Sequence, residues 1–311
     1  MPSSFCALVV CLLVHTAECL LQRSESKVLD DVHDTAVQEE AVQPRLRVTG
    51  VNELLCPVQQ KAIRSAFGVL KRLYNEFNWT RYPRRCALVS NSGVLLNHKH
   101  GAEIDSAELV IRFNDAVTGG ELVDYVGEKD DVRILNYGFD FDFFNSSNQR
   151  LNLSNDTLYV LQKVYPFESG GLQTYAQLVK NMEASPWHIM ADSGNNAERV
   201  AKLVVSRAFG GEVPQSKLTT GTLGGFLALA MCDEVRAYGF PETKDSPTAP
   251  FHYYGKLQYG SASNNSVHVS ASAEKQLWRA LATNADVDST AVAVVPGFTQ
   301  LSCGNSTVGA A

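Results

Sequence analysis

The chain has 311 residues, 45% of them hydrophobic and 19% charged, with a formal net charge of −6. The apolar share supplies a large core, and the acidic balance excludes a broad nucleic-acid surface, which needs a basic face. Without its ends the chain keeps about 250 residues, enough for one α/β domain or two small ones.

The first elements set the compartment. Phe5 to Leu21 is almost wholly apolar, broken only by His15, Thr16 and Glu18. That run is long for a signal-peptide core and short for a bilayer span. No Lys or Arg precedes it, whereas Arg23 and Lys27 follow. Residues 1–21 are expected to be a signal-anchor, or a signal peptide cut near Ala17-Glu18-Cys19. Either directs the chain into the secretory pathway. Residues 22–46, rich in Glu, Asp, Gln and Ser, read as a flexible stem, which leaves residues 47–311 for a folded domain.

The apolar spacing of Leu54, Leu55, Val58, Ile63, Phe67, Leu70, Leu73 and Phe77 predicts a helix from Glu53 to Phe77, with Pro57 in its first turn. Arg81, Arg84 and Arg85 follow as a solvated basic segment. Strands are then predicted at Ala87–Val89, Leu109–Phe113, Val132–Leu135, Leu158–Leu161, Val235–Phe240 and Ala291–Val295. Helical patterns fill the gaps at Leu172–Met182, Ala197–Phe209, Thr222–Met231 and Ala273–Ala282. This alternation predicts an α/β fold with a largely parallel sheet covered on both faces. Ligands of such sheets sit beyond the carboxyl ends of strands, so the turns after Val89, Phe113 and Phe240 are where chemistry is expected.

Three segments offer it. The first strand ends in Ser90-Asn91-Ser92-Gly93, a turn whose short polar groups and backbone N–H suit a nucleotide or phosphate. The second, Leu109 to Asn114, carries Arg112 in mid-strand, where burial demands a partner, and ends in an amide able to read a base or ribose. The third, Thr219-Thr220-Gly221, opens an apolar helix, where hydroxyls and free N–H groups form an anion or ribose site or a plain helix cap. Asp140-Phe-Asp142 has the form of a divalent-metal pair and reads instead as a solvated acidic turn; no metal site is expected.

Six Asn-x-Ser/Thr sequons, at Asn78, Asn145, Asn152, Asn155, Asn264 and Asn305, suit N-glycosylation of a lumenal chain. Of the seven cysteines, Cys6, Cys11 and Cys19 lie in the leader. Cys56, Cys86, Cys232 and Cys303 remain, and an oxidising compartment predicts two disulfides with three possible pairings.

Taken together the segments resemble the animal-type sialyltransferases, glycosyltransferase family 29, and most of all the β-galactoside α-2,6 branch. Cys86 to Asn136 looks like the family's large sialylmotif, with Asn91, Ser92, Gly93, Asp105, Arg112, Asn114, Asp124 and Gly127 in order. Thr219 to Gly239 looks like its small sialylmotif. His252-Tyr253-Tyr254 stands at the place of the third motif, and His268 with Glu274 at the last. The resemblance covers about residues 53–303 and implies a single-domain GT-A-like variant with a Rossmann-like sheet. It implies a CMP-sialic acid donor, a galactoside-type glycan acceptor on glycoprotein or glycolipid, no metal or other cofactor, and a Golgi location. It further implies donor contacts from Asn91, Ser92, Asn114, Thr219, Thr220, Gly221 and Tyr253. His252 would bond the leaving phosphate, and His268 would be the general base. It pairs Cys86 with Cys232 and, by remainder, Cys56 with Cys303. The other readings are transfer of another CMP-ulosonic acid such as Kdo, or a catalytically silent lumenal CMP- or glycan-binding protein. The five residues between His268 and Glu274, one more than the family spacing, favour the last.

Overall fold

The computed structural model describes residues 45–136, 154–161, 188–191, 196–211, 218–255 and 271–303. Contacts divide the chain into Met1–Gln43 and Pro44–Ala311, and every described residue belongs to the second unit. Within the described residues no helix is long and apolar enough to cross a membrane.

Seven strands form one sheet: β1 Arg85–Val89, β2 Leu109–Phe113, β3 Val132–Leu135, β4 Leu158–Leu161, β5 Ile189–Ala191, β6 Glu234–Tyr238 and β7 Val292–Pro296, in the order β5-β4-β3-β2-β1-β6-β7. All neighbours run parallel except β6 and β7. All six predicted strands appear within two residues of their expected ends; β6 stops two residues early, at Tyr238. Strand β5 was not predicted. With three residues at the sheet edge it is too short to show a period. The helix predicted at Leu172–Met182 lies outside the described residues.

The strand order decides where a ligand would sit. From β1 the chain steps outward to β5, then returns to place β6 on the other side of β1. The reversal lies between β1 and β6, and the crevice of such a sheet opens beyond the carboxyl ends of the strands on either side of it.

Alternating residues feed two cores. Leu88, Ile111, Ile134 and Val160 face one side of the sheet, and Ala87, Val89 and Val110 face the other. The first side carries the long helices. The expected single helix from Glu53 to Phe77 is divided into α1 Val51–Leu55, a 3-10 turn at Cys56–Val58, α2 Gln59–Ser65 and α3 Phe67–Glu76. Pro57 has no N–H to give, and the chain tightens around it. Among the described residues the second side is covered by α4 Gly101–Asp105 and α5 Val123–Val126 together with Leu95 and Tyr253.

The remaining helices among the described residues are α6 Asn196–Phe209, α7 Thr220–Met231, α8 Ala271–Leu281 and α9 Val287–Thr290. Helix α7 is buried on every side from Thr222 to Met231. Gly224 and Gly225 explain how. A Cβ on Gly224 would lie 2.6 Å from Phe113 and from Ile134, and one on Gly225 would lie 2.2 Å from Trp278. The helix therefore sits directly between the sheet and α8, whose Ala273, Leu277, Trp278 and Leu281 point inward.

Both disulfide pairings are borne out. Cys86–Cys232 ties the start of β1 to the residue that ends the helix Thr220–Met231, two positions before β6, with Cα atoms 6.1 Å apart, and Cys56–Cys303 joins the first turns of the domain to its last described residue.

Gly225→Ala is expected to lower the unfolding free energy by about 1–3 kcal/mol, because fully buried Trp278 has nowhere to move. Urea unfolding measures it, and an unchanged midpoint would show that α8 can shift away.

Candidate functional site

At the end of β1, the Ser90 N–H continues the ladder by bonding the Tyr238 carbonyl. Ser92 then turns the chain: its N–H bonds Ser90 Oγ at 3.1 Å, and its own Oγ accepts from the Val94 N–H of the short 3-10 helix Gly93–Asn97. Gly93 is required here. Its N–H bonds the Pro250 carbonyl at 3.0 Å, and a Cβ would stand 2.2 Å from that oxygen. Gly239, at φ 71°, leaves β6 beside Ser90, where a Cβ would lie 2.5 Å from Ser90 Oγ. Two glycines thus let the segment around Pro250 and the exit of β6 close onto the β1 turn.

That closure brings His252-Tyr253-Tyr254 to Asn91. The Tyr253 N–H bonds the Asn91 carbonyl at 3.0 Å. The Tyr253 ring goes into the core and its hydroxyl donates to the Val117 carbonyl at 2.9 Å; burial pushes this phenol up to about 12. It is Tyr254 that meets the Asn91 side chain. Asn91 Nδ2 donates to the Tyr254 hydroxyl at 2.8 Å, and that hydroxyl donates to Asp115 Oδ1 at 2.8 Å. Burial first, and Asp115 second, raise the Tyr254 phenol well above its ordinary range. His252 stacks on Tyr254 at 5.3 Å and on Phe251 at 4.4 Å. Asn91 Oδ1 is enclosed and has no partner among the described residues.

Asn114 follows β2 in the left-handed region at φ 48°, which asparagine tolerates better than most residues. Its Oδ1 accepts from the Asn136 N–H at 3.0 Å, and its carbonyl accepts from Arg133 Nη1 at 2.8 Å. Arg133 also bonds the Ala116 carbonyl and pairs with Asp130, so the turn after β2 rests on one guanidinium. Arg112, fully buried as its place in mid-strand required, satisfies Nε on the Lys129 carbonyl and Nη2 on the Val126 carbonyl. Burial lowers its pKa below the usual arginine range.

At the third segment Thr219 caps α7, its Oγ1 accepting from the Thr222 N–H at 3.2 Å. The same hydroxyl donates to Glu274 Oε2, and the Thr219 N–H reaches Glu274 Oε1 at 3.0 Å. Glu274 is 97% buried at the positive end of the helix, where a carboxylate is favoured. Thr219 is therefore occupied, and the backbone N–H groups of Thr220 and Gly221 carry no bond among the described residues. Phe240 packs below them against Trp278 and Phe113.

The structure thus gathers Asn91, Ser92, Asn114, Thr219, Thr220, Gly221, His252 and Tyr253 at the carboxyl edge of the sheet. His268, Asp140 and Asp142 lie outside the described residues. Arg81 and Arg84 stand at the opposite edge, mostly exposed and sharing Glu108. Tyr254, Asp115 and Arg133 are site residues that the sequence did not single out for these contacts. The one cue was the position of Tyr254 within His252-Tyr253-Tyr254.

An α/β sheet with amide side chains and free helix-start N–H groups at its switch point is the frame of a nucleotide-dependent enzyme. The family model for glycosyltransferase family 29 (sialyltransferase) matches residues 34–285, and the chain belongs to that family. A human α-N-acetyl-neuraminyl-2,3-β-galactosyl-1,3-N-acetyl-galactosaminide α-2,6-sialyltransferase is 28% identical over 56% of this chain and 60% of its own length. A rat β-galactoside α-2,6-sialyltransferase 2 is 28% identical over 71% of this chain and 43% of its own. A rat CMP-N-acetylneuraminate-β-1,4-galactoside α-2,3-sialyltransferase is 28% identical over 64% and 55%. The chain spans about half the length of the curated relatives it matches. A mammalian sialyltransferase crystal structure aligns with a TM-score of 0.39 at 23% identity, over 75% of this chain and 88% of that one.

Glu274→Gln is expected to lower the unfolding free energy by about 1–3 kcal/mol, since a carboxamide cannot accept both Thr219 bonds at full charge. Denaturant unfolding reads this, and an unchanged stability would show that water replaces the carboxylate.

Proposed function

We propose that this chain transfers sialic acid from CMP-sialic acid to a hydroxyl of a galactoside-type glycan. The observation that carries the reading is the unpaired Asn91 Oδ1, set at the switch point with the unbonded N–H groups of Thr220 and Gly221 in a chain of family 29. An amide for the nucleoside and a helix start for the phosphate are what a CMP group needs. Two of the relatives named above are named for galactosides, and one of these also for CMP-N-acetylneuraminate.

In this reading Asn91, Ser92 and Asn114 border the nucleoside, Thr220 and Gly221 hold the phosphate, and Thr219 sets the start of α7 through Glu274. Tyr253 supports the pocket from below. His252, held between Phe251 and Tyr254, bonds the leaving phosphate. The acceptor oxygen attacks the anomeric carbon from the face opposite the phosphate, its C–O bond forms as the C–O(phosphate) bond breaks, and configuration inverts. CMP leaves with the electron pair. His268 takes the acceptor proton, work for which an imidazole is suited near neutral pH. A phosphate monoester is a sufficient leaving group without a metal. Residues 1–21 direct the chain to the secretory pathway: as an uncut signal-anchor they hold the domain on the lumenal side of the Golgi membrane with residues 22–46 as the spacer, and as a cleaved signal peptide they leave it secreted. Transfer of another CMP-ulosonic acid uses the same CMP half.

The test is made on residues 47–311 from a secretory host, with CMP-sialic acid, lactosamine-type acceptors and EDTA. Transfer is expected, and His268→Ala is expected to cut kcat by about 10²–10⁴. Equal rates in both proteins would remove His268 from its role, and transfer abolished by EDTA would restore a metal-dependent mechanism. A folded protein without CMP binding would overturn the reading.

Among the described sequons, Asn78 and Asn155 are both exposed, and we expect both to carry N-glycans. Asn78→Gln and Asn155→Gln should each remove one step from a glycosidase ladder, and an unaltered ladder would leave that site unmodified.

A further inference from the structure

The Asn91 carboxamide presents a definite polarity, and two neighbours set it. A phenol has one hydrogen to give. The Tyr254 hydroxyl gives its hydrogen to the Asp115 carboxylate at 2.8 Å, so its oxygen can serve Asn91 only as an acceptor. The amide must therefore turn its NH₂ end to Tyr254 and its carbonyl end away. Turning it round would set two acceptors against each other. The ring of Tyr254 is held for this task, stacked on His252 at 5.3 Å and edge-on to Tyr253 at 5.0 Å. The carbonyl end, Oδ1, is enclosed and has no partner among the described residues.

We infer that Asp115 and Tyr254 are positioning residues that fix Asn91 as a hydrogen-bond acceptor toward the nucleotide, so that it receives an N–H or O–H of the nucleoside and not a phosphate oxygen. The inference rests on the CMP-dependent reading above. A phosphate near neutral pH offers lone pairs only, and lone pairs facing Oδ1 would repel. The groups of CMP that can donate are the cytosine amine and the ribose hydroxyls. The phosphate is left to the N–H groups of Thr220 and Gly221, which can only donate. Acceptor at one end and donors at the other give the nucleotide a direction: nucleoside toward the β1 turn, phosphate toward α7. Asp115 and Tyr254 act through Asn91 and are not catalytic residues.

The experiment is calorimetric titration of the lumenal domain, residues 47–311, with CMP, UMP and 2′-deoxy-CMP. The parent should prefer CMP to one analogue. Preference over UMP identifies the cytosine amine as the donor, and preference over 2′-deoxy-CMP identifies the 2′-hydroxyl. Tyr254→Phe, which keeps the ring and removes only the hydroxyl, should weaken CMP about tenfold and erase that preference. Asn91→Ala should lose a similar amount, and the double variant should bind no more weakly than Asn91→Ala alone. Asp115→Ala frees the Tyr254 hydrogen and should lose the preference, whereas Asp115→Asn, which still accepts, should keep it. That pair decides the matter if Tyr254→Phe does not fold. Additive losses, or a Tyr254→Phe protein that keeps its preference for CMP, would overturn the relay while leaving CMP binding in place. A parent that binds no CMP would remove the proposed function and this inference together.

Discussion

The site depends on how closely α7 lies against the sheet. Gly224 and Gly225 remove the two side chains that would hold the helix off Phe113, Ile134 and Trp278. The helix can then run buried through the domain and deliver its first turn to the carboxyl ends of β2 and β3. Trp278 donates its ring N–H to the Thr222 hydroxyl and packs on Phe226 and Phe240, so α8 locks the start of α7 from outside. Glu274, one turn before Trp278 on the same helix, completes that lock at Thr219. A small change at the glycines would move the helix N–H groups before it moved anything else.

The polar groups at the strand ends follow a strict accounting. Nearly every donor and acceptor there is used within the protein: Ser92 on its own turn, Thr219 on Glu274, Asn114 Oδ1 on Asn136, Tyr253 on Val117, Tyr254 on Asp115. Among the described residues, the unpaired groups at these ends include one enclosed carbonyl oxygen, Asn91 Oδ1, and the helix-start N–H groups of Thr220 and Gly221. Buried polar groups left unpaired are costly, and such remainders concentrate where a ligand supplies the missing partner. Arg133 and Arg112 provide stiffness behind this surface by bonding backbone carbonyls of the β2 and β3 connections.

Much of the frame was legible in the sequence because parallel strands buried on both faces are short apolar runs with sharp ends. Leu109–Phe113 and Leu158–Leu161 match their predicted bounds for that reason. The helix from Glu53 to Phe77 was not legible as several pieces, because its apolar period continues through Pro57 and Ala66 while the backbone does not. At the site, Asn91, Asn114 and Thr219 to Gly221 announced themselves by standing at strand and helix ends. The part played by Tyr254 did not, since it depends on contacts with residues 139 and 163 positions away in sequence. Tyr253 and Tyr254 are adjacent and chemically alike; only the packing of one ring into the core decides which hydroxyl faces Asn91. Glu274 had a motif to mark it, but nothing local showed that its partner is Thr219.

The two disulfides are nested, Cys86–Cys232 inside Cys56–Cys303. The outer one makes nearly the whole domain a covalent ring. A protease that cuts the chain once, anywhere between Cys56 and Cys303, opens the ring without releasing a fragment. The nicked protein keeps its mass until a thiol is added. A single cut in an exposed loop therefore leaves both halves of the site tethered and able to stay folded together.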